Sequence, residues 1–115
     1  MSDLLPKEYR GDEELIRLTV EQVKKDFGSH LPGLQFSGQK ELLFDELAAQ
    51  IQTALRHIQK SNTALFRVIL YRVDIRESDI PDLNQQNAYF SLAEKIVQRE
   101  FQKVLTRRFF SDRGR

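Results

Sequence analysis

LFRVILYRVDI, residues 65–75, is the stretch that decides the fold, because it is the only segment that is apolar on more than one side. Its β-branched and aromatic residues favour a strand. Neither alternating face is consistently apolar, however, since Arg67 interrupts one face and Arg72 and Asp74 interrupt the other. The only other candidate strand is residues 34–37, and a lone strand would leave its backbone groups unpaired.

A helix accounts for this stretch better than a strand does. On a helical wheel one broad face is apolar, formed by Leu65, Phe66, Ile69, Leu70 and Val73. A second apolar face carries Val68, Tyr71 and Ile75, and narrow polar seams separate the two. The pattern therefore predicts a helix packed on two sides, the central helix of a bundle.

Periodic apolar residues predict three more helices around it. Asp12 is a plausible N-cap for the first, and the second shows the cleanest stripe of the chain. The short polar break after Lys60 predicts that helices two and three form a tight hairpin, with the last helix packed along both. The prediction is an all-α, four-helix bundle-like single domain, with helices at about 12–27, 39–60, 62–77 and 85–109.

Length and composition fit a single soluble domain. A chain of 115 residues can bury one core without covalent staples, and it contains no Cys. We expect one helical domain over residues 1–115, with 1–10 and 111–115 flexible. The first residues lack the layout of a signal peptide, and no segment approaches the roughly 20 apolar residues of a membrane span, so a cytoplasmic, membrane-independent protein is expected.

The residues that carry chemistry in enzymes do not form a recognisable motif. His30 and His57 lack the Glu-x-x-His spacing of di-iron bundles, and no H-E-x-x-H pair occurs. GLQFSGQK, residues 33–40, departs from the phosphate-binding loop pattern, because Gln39 precedes Lys40 and Glu41 replaces the magnesium-binding hydroxyl. We therefore expect no catalytic residues, no metal, no cofactor and no enzymatic activity.

One polar cluster is predicted inside the bundle. Glu100 falls among apolar residues on the last helix, and a buried carboxylate needs a partner. Arg67 or Arg72 would reach it from helix three, and Asp74 and Arg107 would lie nearby. The cluster is interpreted as an ion pair that fixes the helix register, with a small cavity for an anionic ligand as the alternative.

The last helix also carries a basic stripe, and the end of the chain is basic while its first half is acidic. The stripe comprises Lys95, Arg99, Lys103, Arg107 and Arg108. Phe109 and Phe110 follow it, and basic residues mixed with aromatic ones suit contact with an RNA backbone. The alternative is a solvated face whose cations compensate the helix dipole.

YRVDI at residues 71–75 and AEKIVQREFQKVLTRRFFS at residues 93–111 resemble a group of small uncharacterised bacterial proteins. Those proteins share an R-[IV]-D-[IV] helix followed by a similar basic helix. The resemblance covers about the last half of the chain and implies an all-α fold, without implying any activity. It singles out Arg72, Asp74, Arg99, Glu100, Gln102, Lys103 and Arg107.

These observations predict a non-enzymatic helical interaction module that self-associates or docks on a helical protein partner. The basis is the two-sided helix three, together with Leu18, Leu42 and Phe110, which lie outside the main apolar stripes and would form an exposed patch. The alternative is an accessory protein that binds nucleic acid through the basic stripe. No membrane partner is expected.

Overall fold

The computed structural model describes residues 12–31 and 33–113, with side chains described as far as residue 108. This part of the chain is an all-α, bundle-like single domain. Its helices are α1 (Glu13–Phe27), α2 (Leu43–Ser61), α3 (Thr63–Val73) and α4 (Ala88–Arg113). Short 3₁₀ turns lie at Gly28–His30, Lys40–Leu42 and Glu77–Asp79. The predicted fold class is confirmed, while the predicted loose segment 1–10 lies outside the described residues.

Local sequence explains where α1 begins and ends. The Asp12 side chain accepts a hydrogen bond from the Leu15 backbone N–H at 3.1 Å. Two glutamates in the first turn stabilise the helix, because their negative charge lies at the positive end of the helix dipole. At the other end Gly28 has φ of 61°, a conformation that glycine adopts without steric cost. The predicted first helix is therefore confirmed nearly residue for residue.

A single residue, Asn62, separates α2 from α3 and caps both. Its backbone N–H donates to the Ile58 carbonyl at the end of α2, and its side chain accepts from the Leu65 N–H at 3.0 Å. Helices joined by so short a link are neighbours, as the predicted hairpin requires. The helix predicted from residue 39 begins instead at Leu43, after the 3₁₀ turn.

The predicted end of helix three, at residue 77, is wrong. Asp74 adopts the left-handed conformation with φ of 73°, and the Ile75 N–H then donates to the Leu70 carbonyl at 2.9 Å. This reversal ends α3 at Val73 and folds Ile75 back onto the core. It has no sequence signal as plain as a glycine, because aspartate visits this conformation less often.

The central helix of the bundle is α4, and the prediction that helix three is central is wrong. The 26 residues of α4 contact α2 and α1 extensively and α3 only slightly. Its predicted packing along both α2 and α3 is thus correct for α2 alone. It begins at Ala88, three residues later than predicted, and its backbone continues to Arg113, beyond the predicted end at 109.

The main core lies between α2, α3 and α4, with the end of α1 against it. Its largest members include Phe27, Leu55, Ile69 and Ile96, all without solvent exposure. A smaller cluster of Leu15, Phe101 and Val104 joins the start of α1 to the second half of α4.

The segment after α1 runs extended along α2 without forming a strand. The Gln35 N–H donates to Gln50 Oε1 at 2.9 Å, and Gln50 Nε2 donates back to the Gln35 carbonyl at 2.8 Å. Glu46 accepts from both the backbone and the hydroxyl of Ser37. Side chains of α2 thus satisfy the backbone groups that a missing sheet partner would otherwise leave open.

Candidate functional site

The five residues of the predicted polar cluster do not meet at one place. Arg67 forms an exposed ion pair with Glu77 at 2.9 Å, and Asp74 pairs with Arg99. Arg72 Nη1 donates to the Asp26 backbone carbonyl at 3.4 Å. Neither Arg67 nor Arg72 is therefore the partner of Glu100.

Arg107 lies at the surface, where it lines a groove between α1 and α4. Arg67, Arg72 and Asp74 have other partners, namely Glu77, the Asp26 backbone carbonyl and Arg99. The five residues of the predicted cluster thus have different surroundings. They do not line the single anion cavity that was the alternative interpretation.

Glu100 is fully buried, as its position on the apolar stripe predicts, and it lies beside residues of α1. Lys103 Nζ is 3.0 Å from Glu100 Oε1 and donates to Asp26 Oδ2 at 3.0 Å. The same Nζ donates to the Arg72 backbone carbonyl at 2.8 Å. We call this group, completed by Gln22, the polar junction: Gln22, Asp26, Arg72, Glu100 and Lys103.

The polar junction joins the ends of two helices to the middle of a third. Arg72 and Lys103 each place a cation on a backbone carbonyl at a helix C-terminus, where such groups lack a partner within the helix and the dipole favours positive charge. Asp26 lies one residue before the end of α1 and receives the Lys103 ammonium. The junction therefore fixes where α1 and α3 end against α4.

Protons in the junction are shared unequally between the two carboxyl groups. Burial, followed by the hydrogen bond with Asp26, raises the pKa of Glu100 from 4.5 to about 8, and Lys103 opposes this rise. Burial works to raise the pKa of Asp26 as well, but hydrogen bonds with Glu100, Lys103 and Gln22 outweigh it and hold that pKa below its ordinary value. Glu100 is thus the protonated member and Asp26 the ionised one near neutral pH.

The hydrogen-bond geometry around Glu100 fits this assignment. No donor in the described part of the chain is aligned on either of its carboxyl oxygens. Lys103 is close, but its directed bonds go to Asp26 and to the Arg72 carbonyl. A protonated carboxyl that donates to Asp26 suits such a setting, because a buried carboxylate would need donors of its own.

Most members of the basic stripe contact the chain itself. Lys95 donates to the Asp79 carbonyl at 2.8 Å, Arg99 pairs with Asp74, and Arg108 lies 3.7 Å from an oxygen of Asp12. Lys103 belongs to the polar junction. These contacts hold four of the five predicted cations against the protein, so the stripe is less available to phosphate groups than its sequence predicts.

The apolar residues that fall outside the main stripes have different surroundings. Leu18 is partly buried against the small core cluster and lines the groove between α1 and α4. Leu42 is 38% exposed in the turn before α2. The side chain of Phe110 lies outside the described residues. The predicted patch of Leu18, Leu42 and Phe110 is thus not assembled by the side chains that the structure describes.

The second apolar face of helix three is exposed, so the prediction that this helix is packed on two sides is wrong. Tyr71 is 84% exposed and Val68 is 44% exposed, while Ile75 alone of the predicted face is buried. Ala64, one turn before Val68, is exposed as well. We call Ala64, Val68 and Tyr71 the α3 outer face.

A groove of about 530 Å³ runs between α1 and the second half of α4. Leu18 and Val104 supply its apolar floor. Its walls are charged, with the remaining lining residues Glu14, Glu21, Gln22, Lys25, Arg107 and Arg108. We call it the α1–α4 groove. Gln22 belongs to both the groove and the polar junction.

Other chemistry finds little support in the described residues. His30 and His57 are exposed, and within residues 12–31 and 33–113 no three His, Asp or Glu side chains are grouped so as to hold a metal ion. The same part of the chain contains no helix long and apolar enough to cross a bilayer. Besides the α3 outer face and the α1–α4 groove, the described residues form a groove of about 500 Å³ beside Phe66 and Leu83 and one of about 270 Å³ beside Asp74 and Arg99.

The described residues form an all-α single domain in which the α3 outer face is exposed and a groove lies between α1 and α4. Comparison with known proteins gave no match to a family model, to a curated protein or to a solved structure. The resemblance to small bacterial helical proteins stays a prediction for that reason.

Proposed function

We propose that the protein is a non-enzymatic interaction module whose α3 outer face docks on an amphipathic helix of a protein partner. The observation that carries the proposal is the exposure of Tyr71 and Val68 on a helix whose other face is already buried. Burial of Phe66, Ile69, Leu70 and Val73 anchors α3, so the fold does not require a second apolar face. Tyrosine is enriched among the residues that dominate binding energy at protein interfaces.

The spacing of the outer face suits a helical partner. Ala64, Val68 and Tyr71 follow one another at i, i+4 and i+7, which places them in one line along α3. The small side chain of Ala64 allows a partner helix to approach closely at one end. The ring of Tyr71 offers a large contact at the other end. A helix laid along this line would bury apolar residues of its own at the same spacing.

Charge around the face favours an acidic partner. No residue of α3 is acidic, and Arg67 and Arg72 are exposed on either side of the apolar line, although Arg67 also pairs with Glu77 and Arg72 donates to the Asp26 carbonyl. The nearest carboxylate in sequence, Asp74, is paired with Arg99. A partner helix with leucines on one side and glutamates flanking them would match both the apolar line and the arginines.

The test uses a fluorescein-labelled amphipathic peptide with leucines at i and i+4 and glutamate flanks. Its fluorescence anisotropy is titrated with the full chain. A peptide with lysine flanks and a scrambled glutamate peptide are the comparison probes. We expect only the glutamate-flanked peptide to bind, and Tyr71→Ser or Val68→Ser to weaken its binding by roughly tenfold or more.

Leu42→Ser is the matched control, because Leu42 is an exposed apolar residue outside α3. It should leave binding unchanged. Equal binding by wild type and Tyr71→Ser would refute the proposal, as would a lack of preference among the three peptides. Generic RNA and duplex DNA, titrated at low and moderate salt, test the alternative. Strongly salt-dependent binding that Tyr71→Ser does not alter would favour a nucleic-acid accessory protein instead.

A further inference from the structure

The α1–α4 groove has two walls of opposite charge. On α1 the wall carries Glu14 and Glu21, with Lys25 near its end, and on α4 it carries Arg107 and Arg108. The floor between them is apolar, with Leu18 and Val104. The surface is thus amphipathic across its width, with acid on one side, base on the other, and leucine and valine between.

The two helices that form the groove run antiparallel. Asp12, before the start of α1, lies near Arg108, whereas Asp26, near the end of α1, contacts Lys103 and Glu100 earlier in α4. Consider a second copy related by a twofold axis that lies along the groove. The axis places α1 of each copy over α4 of the other, antiparallel and at the same height, so every acidic wall meets a basic wall.

We propose that a second copy of this chain occupies the groove, giving a twofold homodimer in which two α1 and two α4 helices form a four-helix layer. The two partly exposed Leu18 side chains share the centre above the buried Val104, and the aliphatic stems of Lys25 and Arg107 fill the space beside them. Glu14 and Glu21 of each copy face Arg107 and Arg108 of the other. The inference goes beyond the proposed function, since no residue of α3 takes part.

The charge pattern also selects this arrangement over the perpendicular one. A twofold axis across the groove would lay α1 on α1 and α4 on α4, so that the two Arg107 side chains would repel each other. Along the groove, the α1 wall, which is negative on balance, faces the positive α4 wall of the other copy. The axis across the groove brings like charges together, whereas the axis along the groove brings opposite charges together. The second arrangement is therefore the preferred dimer.

The area of the dimer interface limits the affinity that we expect for the dimer. The 15 residues of α1 span about 22 Å, and two helices side by side are about 20 Å wide, which gives a face of roughly 440 Å² per chain. The area removed from water on both copies is then about 900 Å², below the standard size of specific interfaces and in the range of weak, transient ones. We therefore expect a reversible dimer in the micromolar range rather than an obligate one.

Sedimentation equilibrium over a wide concentration range tests the inference with three forms of the full chain. They are wild type, a basic variant (Glu14→Arg with Glu21→Arg) and an acidic variant (Arg107→Glu with Arg108→Glu). Wild type should rise from the 13.5 kDa monomer toward twice that mass. Each variant alone should associate at least roughly tenfold more weakly, because its facing walls then repel.

An equimolar mixture of the basic and acidic variants is the decisive sample. Mixing restores opposite charges at every facing wall, so a one-to-one heterodimer should form at concentrations where neither variant self-associates. Glu41→Arg, which changes an exposed charge outside the groove, should dimerise as wild type does. Circular dichroism melting verifies folding, and the single changes Glu21→Arg and Arg107→Glu replace any double variant that does not fold.

Three outcomes would overturn the inference. They are a wild type that stays monomeric at every concentration, double variants that dimerise as tightly as wild type, and a variant mixture that does not associate. Tyr71→Ser should not change the dissociation constant of the dimer, because Tyr71 lies on the α3 outer face and not in the groove. Loss of peptide binding without loss of dimerisation, or the reverse, thus tells the two proposals apart.

Discussion

Glu100→Gln tests the polar junction most directly, because it removes a titrating group and keeps its shape. In the wild-type chain, burial and the hydrogen bond with Asp26 raise the pKa of Glu100 from 4.5 to about 8. Between those two pH values the folded chain binds a proton that the unfolded chain releases. Since the folded state binds more protons there, the free energy of unfolding must fall as pH rises from about 4.5 to about 8.

The two pKa values of Glu100 limit how much the free energy of unfolding can fall. One pKa unit corresponds to about 1.4 kcal/mol, so a rise from 4.5 to about 8 limits the loss of stability to roughly 5 kcal/mol. Local relaxation and water entry reduce the penalty of a buried charge, and we expect a measured loss of about 2–4 kcal/mol. Asp26 acts in the opposite direction, because its pKa is lowered: its contribution is present above the unfolded value of 3.8 and is lost as pH falls below it.

Urea unfolding followed by circular dichroism, in steps from pH 4.5 to 9, measures the effect. Wild type should be most stable near pH 4–5 and lose stability steadily towards pH 8. Glu100→Gln should be close to wild type at pH 5, nearly independent of pH in this window and more stable than wild type at pH 9. Its amide can donate to Asp26 at every pH, as the protonated carboxyl does only below about pH 8.

Glu41→Gln is the control, since Glu41 is exposed and its substitution should reproduce the wild-type slope. A wild-type profile that is flat from pH 5 to 9 would refute the reasoning. An unchanged slope in Glu100→Gln would refute it too, because the pH dependence would then come from other groups. Denaturant m-values that stay constant across the series establish that the changes are changes of stability.

Lys103→Met removes the ammonium that contacts Asp26 and Glu100, and at pH 7 it should lower the free energy of urea unfolding by about 3–5 kcal/mol; a loss below about 1 kcal/mol would contradict the role assigned to Lys103. Phe27→Ala empties a fully buried site at the end of α1 and should cost about 3–5 kcal/mol, measured by the same unfolding titration. Asn62→Ala removes the side-chain cap on the Leu65 N–H and should cost about 1 kcal/mol, whereas Asn62→Asp should retain most of it.

Helix positions follow from the sequence where capping and periodicity agree. Asp12, the apolar spacing of α1 and Gly28 predict the start, face and end of that helix, and the structure matches them. The end of α3 was not predictable in this way. The left-handed turn at Asp74 depends on Ile75 folding back into the core, and a tertiary contact of this kind leaves no local signal.

Periodicity also predicts apolar faces without saying what covers them. Val68 and Tyr71 lie on one face of α3, as the helical wheel has it, but no element of the described chain buries them. Which helix becomes central depends on length and on packing partners, and α4, with 26 residues, contacts both α1 and α2. An apolar surface without a partner is the feature that a wheel cannot distinguish from a buried one.

Glu100 was identifiable from its place on an apolar stripe, but its partners were not the arginines of α3. Asp26 could have been found, because an acidic residue in the last turn of a helix opposes the dipole and therefore requires a cation nearby. Lys103 supplies that cation from one turn beyond Glu100. The pairing itself spans 77 residues of sequence, and only the packing of α1 on α4 brings the two groups together.

The same packing explains why a small domain retains charged groups in its interior. Leu15, Phe101 and Val104 pack the first half of α1 on α4, but apolar burial is non-directional and specifies the register of two helices less sharply than hydrogen bonds do. A junction in which Lys103 bonds both Asp26 and the Arg72 carbonyl has only one register that satisfies its groups. That register also sets how the walls of the α1–α4 groove face each other. Gln22 belongs to both the polar junction and the groove. We infer that the buried charges contribute register rather than net stability, and that the surface proposed for self-association depends on it.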